Sequence, residues 1–163
     1  MPSGYYDLYA EAGSLFVIKL NFLDSNGESA NLAYKNNNSY YLAEELKAIG
    51  WTHVNNIQAV LQVRKKPIGT GIPGTALLTF STIEADGILG KIQFVDASID
   101  DTTGEPKSDH NMRIWITDPN AETGTHFYDL ELEFIGGTSP TAADPIKLRI
   151  LQGRFTITPQ VTT

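Results

Sequence analysis

The chain reads as an all-β sandwich of about seven or eight strands with one short inserted helix. Three observations point there. Apolar and polar residues alternate with period two along most apolar segments, the pattern of a strand with one buried face. Breaks rich in Gly, Pro, Asn and Asp separate those segments. A single stretch shifts to helical spacing.

From Phe16 onward, Phe16, Ile18, Leu20 and Phe22 are apolar while Lys19 and Asn21 face the other way. This strand stops at Asp24-Ser25-Asn26-Gly27, where Asn-Gly supplies the positive φ of a tight turn. Between Tyr41 and Gly50 the spacing changes, and Leu42, Leu46 and Ile49 fall on one helical face. Ser39 is the expected N-cap, acidic residues fill the first turns and Gly50 is the expected stop. A helix this short depends on packing, and it is expected to cap one end of the sandwich.

Ile57, Ala59, Leu61 and Val63 alternate with Gln58, Gln62 and Arg64, up to Pro67. Tyr128, Leu130, Leu132 and Phe134 alternate with Asp129, Glu131 and Glu133, ending at Gly136-Gly137. Further strands are predicted at Ala76 to Ser81, Ile88 to Val95 and Met112 to Thr117. In the last strand Ile146, Leu148 and Ile150 share one face, but Phe155 and Ile157 have the opposite parity. The switch predicts a β-bulge or a crossover between sheets, with Gly153 absorbing the bend. Phe16, Ile18, Leu20, Leu61, Leu130 and Leu132 are expected to line the core.

Polar loops at Lys65 to Thr75, Asp96 to Asn111 and Gly136 to Pro145 join these strands. Short strands with long end loops describe an immunoglobulin-like β-sandwich. No internal repeat or linker is visible, so residues 1–163 read as one domain, with residues 34–54 as an inserted helical segment.

A net charge of −7 argues against a nucleic-acid binder, which needs a basic footprint, and against anionic membrane surfaces. The apolar runs are far too short for a spanning helix. Met1-Pro2-Ser3-Gly4 shows no secretory signal. With no Cys, thiol nucleophiles, disulfides and cysteine-based metal sites are excluded. The expected partners are proteins.

The densest chemistry lies in Asp96-Ala97-Ser98-Ile99-Asp100-Asp101-Thr102-Thr103-Gly104-Glu105, with Asp109 beyond. Such oxygen ligands suit Ca²⁺, but the spacing does not reproduce a dedicated calcium loop, so no metal and no cofactor is expected. His53, His110 and His126 are scattered and lack partners at i+4, and two adjoin element ends, where surface histidines are common. No Gly-x-Ser-x-Gly elbow is present. Gly69-Thr70-Gly71-Ile72-Pro73-Gly74 lacks the Lys and helix of a phosphate cradle and reads as a loop. No catalytic residue is expected.

Aromatics cluster at Tyr5, Tyr6 and Tyr9, and again at Tyr34, Tyr40, Tyr41 and Trp51. Tyr and Trp dominate both interface hot spots and sugar-stacking surfaces. Tyr5, Tyr6, Tyr34, Tyr40, Tyr41 and Trp51 are therefore the candidate partner-binding residues. Trp115 is out of phase with Met112, Ile114 and Ile116, so it is either an exposed anchor or a sign of a different strand phase.

The two ends add a resemblance. Tyr5-Tyr6-Asp7-Leu8-Tyr9-Ala10-Glu11 opens the chain, and Phe127-Tyr128-Asp129-Leu130 with Leu151-Gln152-Gly153-Arg154-Phe155 and Pro159-Gln160-Val161-Thr162 closes it. This pattern resembles a family of small tailed-bacteriophage virion proteins, as does Ala59-Val60-Leu61-Gln62-Val63-Arg64. The resemblance brings no catalytic motif. It implies a non-enzymatic virion component assembled in the host bacterial cytoplasm, present in multiple copies and contacting other virion proteins. A tail or baseplate accessory is the leading expectation. A capsid decoration protein on the major capsid protein and a host-surface carbohydrate-binding module are the alternatives.

Overall fold

A computed structural model describes residues 4–33, 40–65, 76–82, 90–116, 123–136 and 146–159. Among them, nine strands follow in order: β1 (Gly4–Tyr5), β2 (Leu8–Glu11), β3 (Phe16–Leu20), β4 (Asn56–Arg64), β5 (Ala76–Ser81), β6 (Gly90–Phe94), β7 (Met112–Ile116), β8 (Gly124–Ile135) and β9 (Ile146–Thr158). The helix α1 (Glu44–Ala48) lies between β3 and β4. The strands build an all-β sandwich. Its larger sheet has the order β1-β9-β8-β4-β5 with β2 also on β9, and its smaller sheet the order β3-β7-β6.

Strict alternation explains the centre. In β4 the residues Ile57, Ala59, Leu61 and Val63 are buried, and in β8 Tyr128, Leu130, Leu132 and Phe134. The antiparallel register sets Ala59 opposite Leu132 and Leu61 opposite Leu130, so both strands bury the same rows. In the smaller sheet Phe16, Ile18 and Leu20 lie opposite Ile116, Ile114 and Met112. The sheets meet across Phe16 and Phe155, whose ring centroids are 5.5 Å apart. Each large apolar side chain buried here contributes roughly 1.5–3 kcal/mol. The six expected core residues all belong to this cluster, Phe16, Ile18 and Leu20 from its half-buried margin.

The parity switch in β9 is a bulge, but it sits at Ile150 rather than at Gly153. Leu151 pairs with Leu130 and Arg149 with Glu131, leaving Ile150 as the extra residue. Nor does β9 change sheets, since it pairs with β8 on both sides of the bulge. Gly153 has a different task. A Cβ there would stand 2.1 Å from the Tyr6 carbonyl oxygen, because the N-terminal segment crosses directly over it.

That segment forms a strap. β1 and β2 run parallel to β9, with Tyr5 opposite Gln152 and Leu8 opposite Phe155. Between them Tyr6 N–H donates to the Gln152 carbonyl at 2.9 Å, and Asp7 Oδ1 accepts from Arg154 N–H at 3.0 Å. The Tyr128 hydroxyl donates to the Tyr6 carbonyl. Burial, then the nearby Asp7 carboxylate, push the Tyr128 hydroxyl well above its ordinary pKa, so it remains a donor.

Helix α1 is shorter than its pattern predicts. Its N-cap is Ala43, in extended conformation and without a side-chain cap, so Ser39, outside the described residues, is not the cap. The C-terminus matches expectation. Gly50 has φ +98°, its N–H donates to Lys47 C=O, and Trp51 N–H donates to Leu46 C=O, a Schellman stop. Ile49 falls beyond the helix and is exposed, whereas Leu46 and Trp51 are buried and hold the turn in place.

Candidate functional site

The expected partner-binding aromatics separate into two groups. Tyr5, Tyr6 and Tyr9 are 64%, 57% and 67% exposed on a strap that backbone pairing holds rigid. Leu8 and Ala10 point inward and anchor it. The second group is different. Trp51 is buried in the core, so it presents no surface for a partner. Tyr41 is wedged between the sheets, 5.6 Å from Phe22 edge-on and 6.3 Å from Phe134 between ring centroids. Its burial and the carboxylates of Glu45 and Glu44 raise its hydroxyl pKa. Tyr40 is likewise half-buried against the core, with its hydroxyl 3.5 Å from Asn56 Oδ1. Tyr34 and the 69–74 loop lie outside the described residues. The exposed aromatics are thus those of the strap, while Tyr40, Tyr41 and Trp51 pack against the core.

The acidic segment is a compact hairpin. Ile99 bridges to Pro106, Asp100 N–H donates to the Glu105 carbonyl and Lys107 N–H to the Ser98 carbonyl. Asp96 accepts from Ser98 N–H and Ser98 Oγ, and these bonds, with Lys107 at 3.4 Å, lower its pKa. Its carboxylate is engaged in holding the turn. Among the described residues no group of three or more His, Asp and Glu is placed to hold a metal ion.

His110 and His126 are buried and His53 is exposed, so an element end does not by itself put a histidine on the surface here. The His110 ring faces Ser108 Oγ at 3.0 Å and Asp109 Oδ1 at 2.7 Å, both through Nδ1, while Arg113 Nη2 lies 3.2 Å from Nε2. A relay needs the nucleophile and the carboxylate on different ring nitrogens. Here the arginine donates to Nε2, so Nδ1 carries the proton toward Asp109. The hydrogen bond to His110 lowers the Asp109 pKa, and the cluster pins the return of the hairpin to β7.

Asn111 was not singled out by sequence and is completely buried. Its Oδ1 accepts from Phe22 N–H at 2.9 Å, and its Nδ2 donates to the carbonyls of Phe22 at 2.7 Å and Ala30 at 3.0 Å. It closes the smaller sheet at its hairpin end.

On the outer face of the larger sheet, Asp129, Glu131 and Glu133 form a row beside Lys147 and Arg149. The three carboxylates and Lys147 border a groove of about 390 Å³ that Val60, Gln62 and Arg64 also line. Asp129 is buried, with Arg149 Nε at 3.5 Å, and Lys147 reaches Glu133 at 3.5 Å. Burial and the adjacent Asp129 raise the pKa of Glu131. Asp129 and Glu131 stand two residues apart on one strand, side by side on its outer face.

The smaller sheet resolves the phase of Trp115. Met112, Ile114 and Ile116 are buried, so the phase was right and Trp115 lies on the outer face. There it forms a shallow depression with Leu15, Val17 and Arg113. The pairing places Lys91, Trp115 and Val17 in one row and Gln93, Arg113 and Lys19 in the next. These outward positions carry three cations and no carboxylate, on a chain whose net charge is −7.

No family model, curated protein or solved structure matches this chain.

Proposed function

We propose that this chain is a non-enzymatic structural component of a tailed-phage virion, an accessory of the tail or baseplate that docks onto neighbouring virion proteins. The observation that carries the docking reading is the strap. Tyr5, Tyr6 and Tyr9 stand exposed on backbone held by β9, so they meet a partner without first having to be ordered. Large aromatics on a preorganised strand are the residues that dominate protein interfaces. The placement in a virion rests on the similarity of both chain ends to that family. In the sandwich those ends lie side by side, since the opening Tyr5-Tyr6-Asp7-Leu8 motif pairs with the closing Leu151-Gln152-Gly153-Arg154-Phe155 motif.

Quantitative mass spectrometry of purified phage particles tests this reading. The chain should appear at a fixed copy number, and a Y5A/Y6A/Y9A variant should fold normally yet be lost from particles. A chain missing from particles altogether defeats the placement. A variant retained at full copy number defeats the strap as the docking element.

A further inference from the structure

We propose that the outer face of the smaller sheet is the seat for a second copy of this chain, which contributes its acidic 96–109 hairpin. The two surfaces are opposites in charge and alike in their apolar centres. The seat is a depression lined by Leu15, Val17 and Trp115, with Lys19, Lys91 and Arg113 around it on the same face. Leu15, just before β3, and Val17 within it are 64% and 46% exposed and adjoin Trp115 in one apolar patch. The hairpin presents Ile99, 53% exposed, flanked by Asp100, Asp101 and Glu105. An apolar knob in an acidic setting thus faces an apolar hollow in a basic one, which sets register and excludes like-charged contacts.

The hairpin is ready to bind. Its cross-strand hydrogen bonds, the Asp96–Ser98 turn and the His110–Arg113 contact fix its shape, so little ordering accompanies docking. Within one chain the base of the hairpin meets only the near end of the seat, where His110 contacts Arg113 and the Asp109 carboxylate lies near Lys19. The hairpin leaves β6 after Phe94 and enters β7 at Met112, whereas Val17 and Trp115 pair toward the other end of the sheet. Three residues of strand put Trp115 roughly 10 Å from Met112. Knob and hollow on different parts of one molecule make a heterologous contact, which propagates head to tail and closes into a ring or continues as a filament. The contact does not depend on where the chain works, so its failure and that of the virion reading are separate results.

Sedimentation velocity over a range of concentrations, at low and high salt, tests it with wild type, W115A and I99D. Wild type is expected to associate, more weakly at high salt as screening shortens the reach of the charges. Each variant alone should weaken association by at least about 30-fold, the loss expected for a central anchor residue. An equimolar mixture of W115A and I99D should then form a one-to-one dimer and nothing larger, because each supplies the half the other lacks. Circular dichroism checks folding, and K19E replaces W115A if that variant unfolds. A wild type that stays monomeric at the highest concentration, association indifferent to salt, or a mixture that fails to dimerise overturns the proposal.

Discussion

Replacing Asn111 with Ala should be among the most damaging single changes in the smaller sheet. The side chain satisfies three backbone groups, Phe22 N–H, Phe22 C=O and Ala30 C=O, and it is completely buried. A buried group left without a partner costs about 1–3 kcal/mol. The Ala30 bond is fully buried and the two at Phe22 partly so, which places the total near 3–5 kcal/mol after allowing water to reach Phe22. For a chain of this size that corresponds to a fall in Tm on the order of 10 °C. Differential scanning calorimetry of N111A and N111D separates lost shape from lost donors. Asp keeps the acceptor for Phe22 N–H but turns an acceptor toward two carbonyls, so N111D should be no better than N111A at neutral pH. A Tm within about 2 °C of wild type for either variant would refute the accounting.

Four further outcomes are expected. Leu130→Ala should cost on the order of 2–5 kcal/mol in denaturant unfolding, because a fully buried side chain leaves a cavity at the centre of β8. Gly153→Ala should force the strap away from β9 and lose about 3 kcal/mol with the three hydrogen bonds made at Tyr6 and Asp7; unchanged amide-exchange protection over Leu8–Glu11 would contradict this. The raised pKa of Glu131 means the folded state holds a proton that the unfolded chain releases. Stability from this group is therefore full at pH below its ordinary range near 4.5 and declines as pH rises through the raised value. Glu131→Gln should remove that slope and show its advantage over wild type at neutral pH. Added Ca²⁺ followed by EDTA should leave Tm unchanged, and a reversible rise would reveal a cation site.

Local pattern was enough wherever one residue in two had to be buried. β4 and β8 follow from it directly, and β5 has the predicted bounds although Leu77 and Leu78 interrupt its alternation, where its register on β4 shifts. The parity switch in β9 announced a bulge, yet which residue bulges depends on the partner strand, and Gly153 was credited with a bend when its role is clearance for Tyr6. Trp51 and Tyr41 show another limit. Aromatic rings suit a core and an interface equally, and only the packing against Phe22 and Phe134 decides for Tyr41. Asn111, His110 and Asp129 look like surface residues in the sequence. For Asn111 the partners that take it inside lie 89 and 81 residues away, whereas His110 is held by its close neighbours Ser108, Asp109 and Arg113. The outer face of the smaller sheet was half legible, since the phase of Trp115 was visible but its alignment with Val17 and Lys91 needed the register.

The parallel strap also dictates an order of events during synthesis. β2 leaves the ribosome well before β9, its strand partner among the described residues. At roughly 5–20 residues per second the strap waits on the order of 8–30 s for β9 to arrive. Throughout that interval Leu8 and Ala10 lie in water, and once β8 has been made its edge stays open until β9 follows, the exposure that invites misassociation between nascent chains. The closing contacts join residues up to 148 positions apart, which places them late in folding as well. The exposed tyrosines take up their fixed positions at that moment, so this aromatic surface takes shape only after the strands it rests on have been made.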